Sequence, residues 1–276
     1  MARIVGGIGS SHAPSIAHAF DHGKQREPMW APLFEGYVPA KQWLAAQRPD
    51  LMIVLYNDHM NRFFFDAYPT FALGVGARHE LADEGWGKRD FPALPGHAEF
   101  AWHLADSLVA DEFDPTICQE ILIDHGILSI LPLLCDVPWP VPVVPLAVNV
   151  IQPPLPTARR LARLGGALRR AVERHPEPLR VVVMATGGLS HHLSGQRFGF
   201  VDPDWDNEFL DLIERDPDAL AGLSHADYIE RGGAEAVEMM LWLGMRCALP
   251  ARVRRVQRTY HAPLITGYGL IVLETA

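Results

Sequence analysis

Apolar residues in this chain come in short runs that end abruptly at polar ones. The run Val181-Val182-Val183-Met184-Ala185 is apolar on both faces and too short for an ordinary helix, the pattern of a strand buried inside a parallel sheet. It stops at Thr186-Gly187-Gly188, where two glycines let the backbone turn tightly and deliver Ser190, His191 and His192 to the carboxyl end of the strand. Open α/β sheets keep their ligands at that edge. The pattern recurs earlier in the chain. Ile4-Val5-Gly6-Gly7-Ile8 runs into Ser10-Ser11-His12, Leu51-Met52-Ile53-Val54-Leu55-Tyr56 into Asn57-Asp58-His59, and the shorter Ile121-Leu122-Ile123 into Asp124-His125-Gly126. If these four runs are neighbouring parallel strands, four imidazoles gather on one edge of one sheet. A single histidine at a strand end is ordinary, but four at the same end have no structural reason to coincide.

Between these runs the periodicity predicts helices over residues 39–47, 157–174, 205–214 and 233–245, and one that starts after Pro95-Gly96 and carries Phe100, Leu104 and Leu108 on one face. Residues 18–36 read as loop and short helix, and residues 72–95 as a long loop. Residues 141–150 keep a strand composition despite the prolines around them, and the tail, residues 260–274, ends in a final buried strand. Phe63, Phe64 and Phe65 form an aromatic cluster beside His59, for which core packing is the leading role and a ring-binding pocket the alternative. No repeat or low-complexity segment marks a boundary, so one domain over residues 1–276 is expected.

Composition narrows the function classes. A net charge of −9 argues against a nucleic-acid partner, and no apolar run approaches the ~20 residues of a membrane span. Arg159, Arg160, Arg163, Arg169 and Arg170 interleave with leucines at helical spacing and read as a solvated helix face. The start of the chain lacks the pattern of a signal peptide, and three widely spaced cysteines without a Cys-x-x-Cys pair fit a reducing cytoplasm and no structural zinc site.

The most informative acidic residue is Glu238. Ala234, Val237, Leu241 and Met245 define one apolar face, Glu238 lies inside it and Glu235 at its margin. A carboxylate there is costly unless it is paired, protonated or bound to a metal. Two neutral imidazoles and one carboxylate form the facial triad of non-haem Fe(II) oxygenases, although zinc hydrolases use the same residue types.

With these residues assembled, the chain resembles the type II extradiol ring-cleavage dioxygenases, the family of the protocatechuate 4,5-dioxygenase β subunit and of the gallate and methylgallate dioxygenases. The likeness runs nearly end to end, through Ser10-Ser11-His12, Phe34-Glu35-Gly36, Tyr56-Asn57-Asp58-His59, Ala82-Asp83-Glu84-Gly85, Asp111-Glu112-Phe113-Asp114, Asp124-His125-Gly126, Thr186-Gly187-Gly188-Leu189-Ser190-His191 and Met245-Arg246. The resemblance implies a three-layer α/β domain with a central, largely parallel or mixed sheet. It also implies one Fe(II) held by His12, His59 and Glu238, His191 as acid/base, and His125 lining the site. The implied reaction is extradiol cleavage of a catecholic acid by O2 to a muconic semialdehyde, a step of aromatic catabolism. Asn57, Ile265 and Thr266 are expected against the substrate. The chain departs from the family where relatives carry a serine that helps to hold the substrate carboxylate, and reads Pro263-Leu264-Ile265-Thr266 instead.

In the family a small helical α subunit or a fused domain of that kind covers the site. Here a separate α chain in an α2β2 assembly, or a homodimer with residues 72–95 as the lid, is expected to do so. Three other readings compete. A zinc hydrolase using the same three ligands lacks an accompanying His-Glu-x-x-His arrangement, and a serine hydrolase built on Ser190 lacks the Gly-x-Ser-x-Gly elbow. A non-catalytic relative is disfavoured because all three ligand positions are filled.

Overall fold

Alternate residues of each apolar run face opposite ways, so a strand that is apolar throughout needs cover on both sides. A computed structural model of the chain, described for residues 1–275, supplies that cover. Ten strands form in order: β1 Arg3–Ser10, β2 Leu51–Tyr56, β3 Phe71–Gly74, β4 Arg78–His79, β5 Leu94–Pro95, β6 Thr116–Cys118, β7 Val143–Val148, β8 Arg180–Thr186, β9 Val253–His261 and β10 Tyr268–Thr275. Eight of them make one sheet in the order β6-β3-β7-β2-β8-β1-β10-β9, and β4 and β5 pair separately. The central four, β7, β2, β8 and β1, are mutually parallel, while β10 and β9 on one side and β3 on the other run antiparallel to their inner neighbours.

The two faces hold two cores. Leu51, Ile53, Leu55, Val181 and Val183 pack on one side with the helices Ala98–Ala110, Ala158–Arg174, Pro203–Arg215 and Leu241–Ala248. Met52, Val54, Tyr56, Val182 and Met184 pack on the other with Pro14–Asp21 and Ala31–Gln47. The result is the expected three-layer α/β architecture with a mixed sheet. Thr157 caps the Ala158–Arg174 helix by accepting a hydrogen bond from the Arg160 amide, which bounds it as the sequence predicts.

Several expectations need correction. Ile121-Leu122-Ile123 is not a sheet strand: Ile123 makes one isolated bridge to Leu81, and Asp124 then caps a short helix, His125–Leu128. Three of the four histidine-ended runs, β2, β8 and β1, are therefore adjacent parallel strands. Residues 72–95 are not one loop, since they hold most of β3, fully buried, and the β4–β5 pair. The helix read over 39–47 starts at Ala31, because Pro39 is carried inside it. Residues 233–245 are not one helix but a tight 3-10 stretch, Ala234–Met240, continued by Leu241–Ala248. Of the aromatic cluster, Phe63 is in the core, whereas Phe64 and Phe65 are exposed.

No helix among the described residues is long and apolar enough to cross a membrane.

Candidate active site

The carboxyl ends of the four parallel strands open on a cavity of about 620 Å³. β1 leads to His12, β2 to His59 and β8 to His191, while β7 leads to Val150 and Ile151, which form an apolar wall. Because β10 runs antiparallel, its start lies at the same edge and brings Ile265, Thr266 and Tyr268 to the opposite wall.

Three donor groups meet at one corner. His12 Nε2 lies 3.2 Å from His59 Nε2 and 3.5 Å from Glu238 Oε2, and His59 Nε2 lies 3.8 Å from Glu238 Oε1. Metal bonds of ~2.1 Å at right angles put neighbouring donor atoms ~3 Å apart, so this spacing suits three ligands on one face of one ion.

The surroundings settle which atoms face the corner. His59 Nδ1 donates to Asp124 Oδ2 at 2.9 Å, and the same oxygen accepts the His59 amide at 2.8 Å. That turns His59 Nε2 inward, the carboxylate–histidine arrangement that orients metal ligands. Glu238 Oε2 accepts the Gly188 amide at 2.7 Å, and Glu238 Oε1 accepts from Asn57 Nδ2 at 3.1 Å.

Neither Gly187 nor Gly188 has a positive φ, so the turn after β8 does not need them for left-handed backbone. Gly188 serves close approach instead: a Cβ there would stand 2.6 Å from His191 Cε1.

Charge at the corner follows from burial and from the two carboxylates. Burial strips water from His12 and lowers its pKa to about 3 against the pull of Glu238, so the ring is neutral and able to ligate. For His59 burial works the same way but is outweighed by Asp124 and Glu238, which raise it to about 10. Burial would raise Glu238, yet His12 and His59 hold it well below the usual carboxylate range. Two ionised carboxylates, Glu238 and Asp124, thus stabilise positive charge on His59 beside neutral His12, and a metal ion at the corner would take the place of the proton on His59 Nε2.

His191 is buried, and its Nδ1 donates to the Leu189 carbonyl at 2.7 Å, which leaves Nε2 with a lone pair. His125 stands with its ring centroid 3.9 Å from that of His59, and its Nδ1 donates to Glu84, which also accepts the His125 amide. Ile265 and Thr266 line the cavity, Thr266 paired with His191 in an antiparallel bridge.

Other sequence candidates lie elsewhere. Asn57 is fully buried behind the ligands, donating to Glu238 and lying 2.9 Å from His59 Nε2, and is not on the cavity wall. Glu235 accepts the Leu193 amide and is not at the three-donor corner. His192 accepts the Ala234 amide, a structural role. Ser190 is fully buried with its hydroxyl donated to Asp206, which removes it as a nucleophile.

Sequence reasoning missed Asp124 and Glu84 as partners of the histidines. Both sit in the short motifs Asp-His-Gly and Ala-Asp-Glu-Gly, so a signal was present; for Tyr268 and Asp206 there was none.

Fold and site together define an α/β protein with a two-histidine, one-carboxylate centre at the carboxyl edge of its parallel strands. The chain belongs to the family of the catalytic LigB subunit of aromatic ring-opening dioxygenases, whose model matches residues 6–271; that family implies a catalytic metal. Among named relatives, a gallate dioxygenase of Pseudomonas putida is 47% identical over 196 residues, 70% of this chain and 58% of that protein. The chain thus spans little more than half of that relative's length. A 2,3-dihydroxyphenylpropionate/2,3-dihydroxicinnamic acid 1,2-dioxygenase of Burkholderia vietnamiensis is 29% identical over 256 residues, 77% of this chain and 79% of that protein. The crystal structure of an uncharacterized Escherichia coli K12 protein, JW3007, superimposes with a TM-score of 0.60 at 15% identity, covering 99% of this chain and 100% of that one, a likeness of fold alone.

Proposed function

We propose that the chain is the catalytic unit of a non-haem Fe(II) extradiol dioxygenase that uses O2 to open the ring of a catechol carrying a carboxylate, of the gallate or protocatechuate type. The observation that carries this reading is the meeting of His12 Nε2, His59 Nε2 and a Glu238 oxygen at one corner of a cavity large enough for a single aromatic acid. Fe(II) held by these three residues would supply the centre at which a diol and O2 bind side by side.

The chain's own residues do the rest. Asp124 fixes the tautomer of His59, and Asn57 and the Gly188 amide hold the Glu238 carboxylate in place. His191 Nε2, free because Nδ1 is committed to Leu189, takes a proton from a substrate hydroxyl and returns it as the ring opens, to a muconic semialdehyde where the cleaved carbon beside the diol carries hydrogen and to a carboxylic acid where, as in gallate, it carries a third hydroxyl. His125, held through Nδ1 by Glu84, presents its other nitrogen as a second polar contact.

Val150, Ile151 and Leu264 flank the ring, and Ile265 cannot donate a hydrogen bond, which leaves Thr266 to read the carboxylate. The 47% identity to a gallate dioxygenase favours gallate among these acids. The protein works in the cytoplasm, in keeping with its three free cysteines. A helical α subunit, or a second copy of the chain, covers the cavity mouth, where Leu193 and Leu264 are exposed.

The test is anaerobic purification with Fe(II), metal analysis, and oxygen uptake with gallate, protocatechuate, 3-O-methylgallate and uncharged catechols. About one iron per chain and uptake with a carboxylated catechol are expected. Iron-loaded protein that consumes oxygen with none of these compounds would overturn the reading. Light scattering with and without a co-expressed helical subunit decides the assembly.

A further inference from the structure

Two loops from distant parts of the chain bring chemistry to the cavity, residues 188–192 after β8 and residues 264–267 before β10. They are stitched together. The Leu189 amide donates to the Gly267 carbonyl at 3.1 Å, the Gly267 amide to the Ser190 carbonyl at 2.9 Å, and His191 bridges Thr266.

Behind the stitch lies Asp206, fully buried on the helix Pro203–Arg215. Its Oδ1 accepts the Ser190 amide at 2.7 Å, and its Oδ2 accepts the Ser190 hydroxyl at 2.7 Å and the Tyr260 hydroxyl at 2.9 Å. The Ser190 hydroxyl oxygen in turn accepts the Asp202 amide at 2.7 Å. The second loop is pressed against the same carboxylate: a Cβ on Gly267 would stand 2.0 Å from Asp206 Oδ2, so only glycine fits there.

Asp206 forms no ion pair among the described residues. Burial pushes its carboxyl up to about 6, and the bonds from Ser190 and Tyr260 hold it down against that. A buried carboxylate satisfied only by neutral donors is expensive. Here it sits where both loops touch it.

We infer that Asp206 is a positioning residue that locks His191 and Thr266 into one rigid unit, so that the group reading the substrate carboxylate and the group moving the proton keep a fixed separation. The inference rests on the roles proposed above for those two residues. A carboxylate held at Thr266 then sets the ring, and with it the reacting hydroxyl, at a defined distance from His191.

The test uses Asp206→Asn and the gentler Tyr260→Phe in the full chain. The readouts are amide hydrogen exchange, iron content, and kcat and KM for gallate and for pyrogallol, which is the same ring without the carboxylate. Faster exchange at both 188–192 and 264–268 is expected, with β2 as protected as before and iron retained. Turnover of gallate should fall by about 10- to 100-fold, the scale of a misplacement near 1 Å. KM should rise for gallate and stay nearly level for pyrogallol. Faster exchange at one loop only, or at neither, would overturn the inference, as would unchanged gallate turnover in Asp206→Asn. If Asp206→Asn does not fold, Tyr260→Phe decides alone by the same criteria. Should the unaltered chain turn over no catechol, the functional reading fails, while hydrogen exchange at the two loops still decides whether Asp206 is the clamp.

Discussion

Two edge-to-face histidine clusters on different parts of the molecule have nearly the same internal geometry. At the cavity, His12 and His59 have ring centroids 4.9 Å apart at 90°. Beside the helix Ala98–Ala110, His103 and His175 have centroids 4.9 Å apart at 84°, packed around Phe100 with His97 close by.

The partners separate them. In the second cluster His103 Nε2 bonds the Ala171 carbonyl, His175 Nδ1 accepts the Glu177 amide and His97 Nδ1 accepts the Phe100 amide, so ring nitrogens are spent on backbone. No carboxylate pairs with these rings among the described residues. In the first cluster Asp124 takes the outer nitrogen of His59, and Glu238 completes the corner. Clustered imidazoles are therefore not what sets the first cluster apart; convergent ring nitrogens beside a buried carboxylate are.

The sharpest way to break this comparison is at the proposed ligands. His12→Ala, His59→Ala or Glu238→Ala should abolish iron retention and oxygen uptake, as read by metal analysis of anaerobically loaded protein. Full iron in Glu238→Ala with loss in Glu235→Ala would move the ligand to Glu235. His191→Phe should lose ~10²–10⁴-fold in turnover at unchanged iron content, the usual worth of a positioned acid/base; iron loss there would make His191 a ligand.

A step smaller, Asp124→Asn should weaken iron binding by about 10- to 100-fold, as measured by competition with a chelator, because the His59 tautomer is no longer fixed. Thr266→Val should raise KM for gallate by roughly fivefold, the loss of about one hydrogen bond, and leave pyrogallol nearly unchanged. Equal effects on both compounds would remove Thr266 from carboxylate recognition. The second cluster is the control and the smallest effect. His103→Ala should leave iron and turnover alone and cost about 1 kcal/mol in a denaturant melt.

How much of this the amino-acid sequence displays depends on burial. β1, β2 and β8 were legible because strands covered on both faces must be apolar throughout, and their abrupt polar ends placed His12, His59 and His191. Glu238 stands out as a carboxylate on an apolar face, and it is buried although the segment is a 3-10 helix. β9 was not recognised, since it is an edge strand whose Arg254 and Arg255 are exposed and, with the half-buried Arg258, carry ion pairs to Glu274, Glu214 and Asp211. β3 was lost because four residues carry too little periodicity to separate them from the loop around them. Asn57 looked like a substrate contact from its place beside His59, but the side chain of a strand-end residue can point behind the site as readily as into it. Asp206 was invisible because its partners, Ser190, Tyr260 and Gly267, come together only through tertiary packing.

The three-donor corner also has a consequence for how long the protein lasts. Its donors come from the loops that follow the first and second strands and from the 3-10 helix Ala234–Met240, so no fragment short of almost the whole fold can present them together. On the proposed assignment the unfolded chain has no comparable site, and by mass action an ion that binds only the folded form adds about 2.7 kcal/mol when its free concentration is 100 times the dissociation constant. Iron supply would then govern the amount of enzyme as well as its activity. Chain made under scarcity would unfold more often and reach cellular proteases sooner, while chain made under plenty would persist.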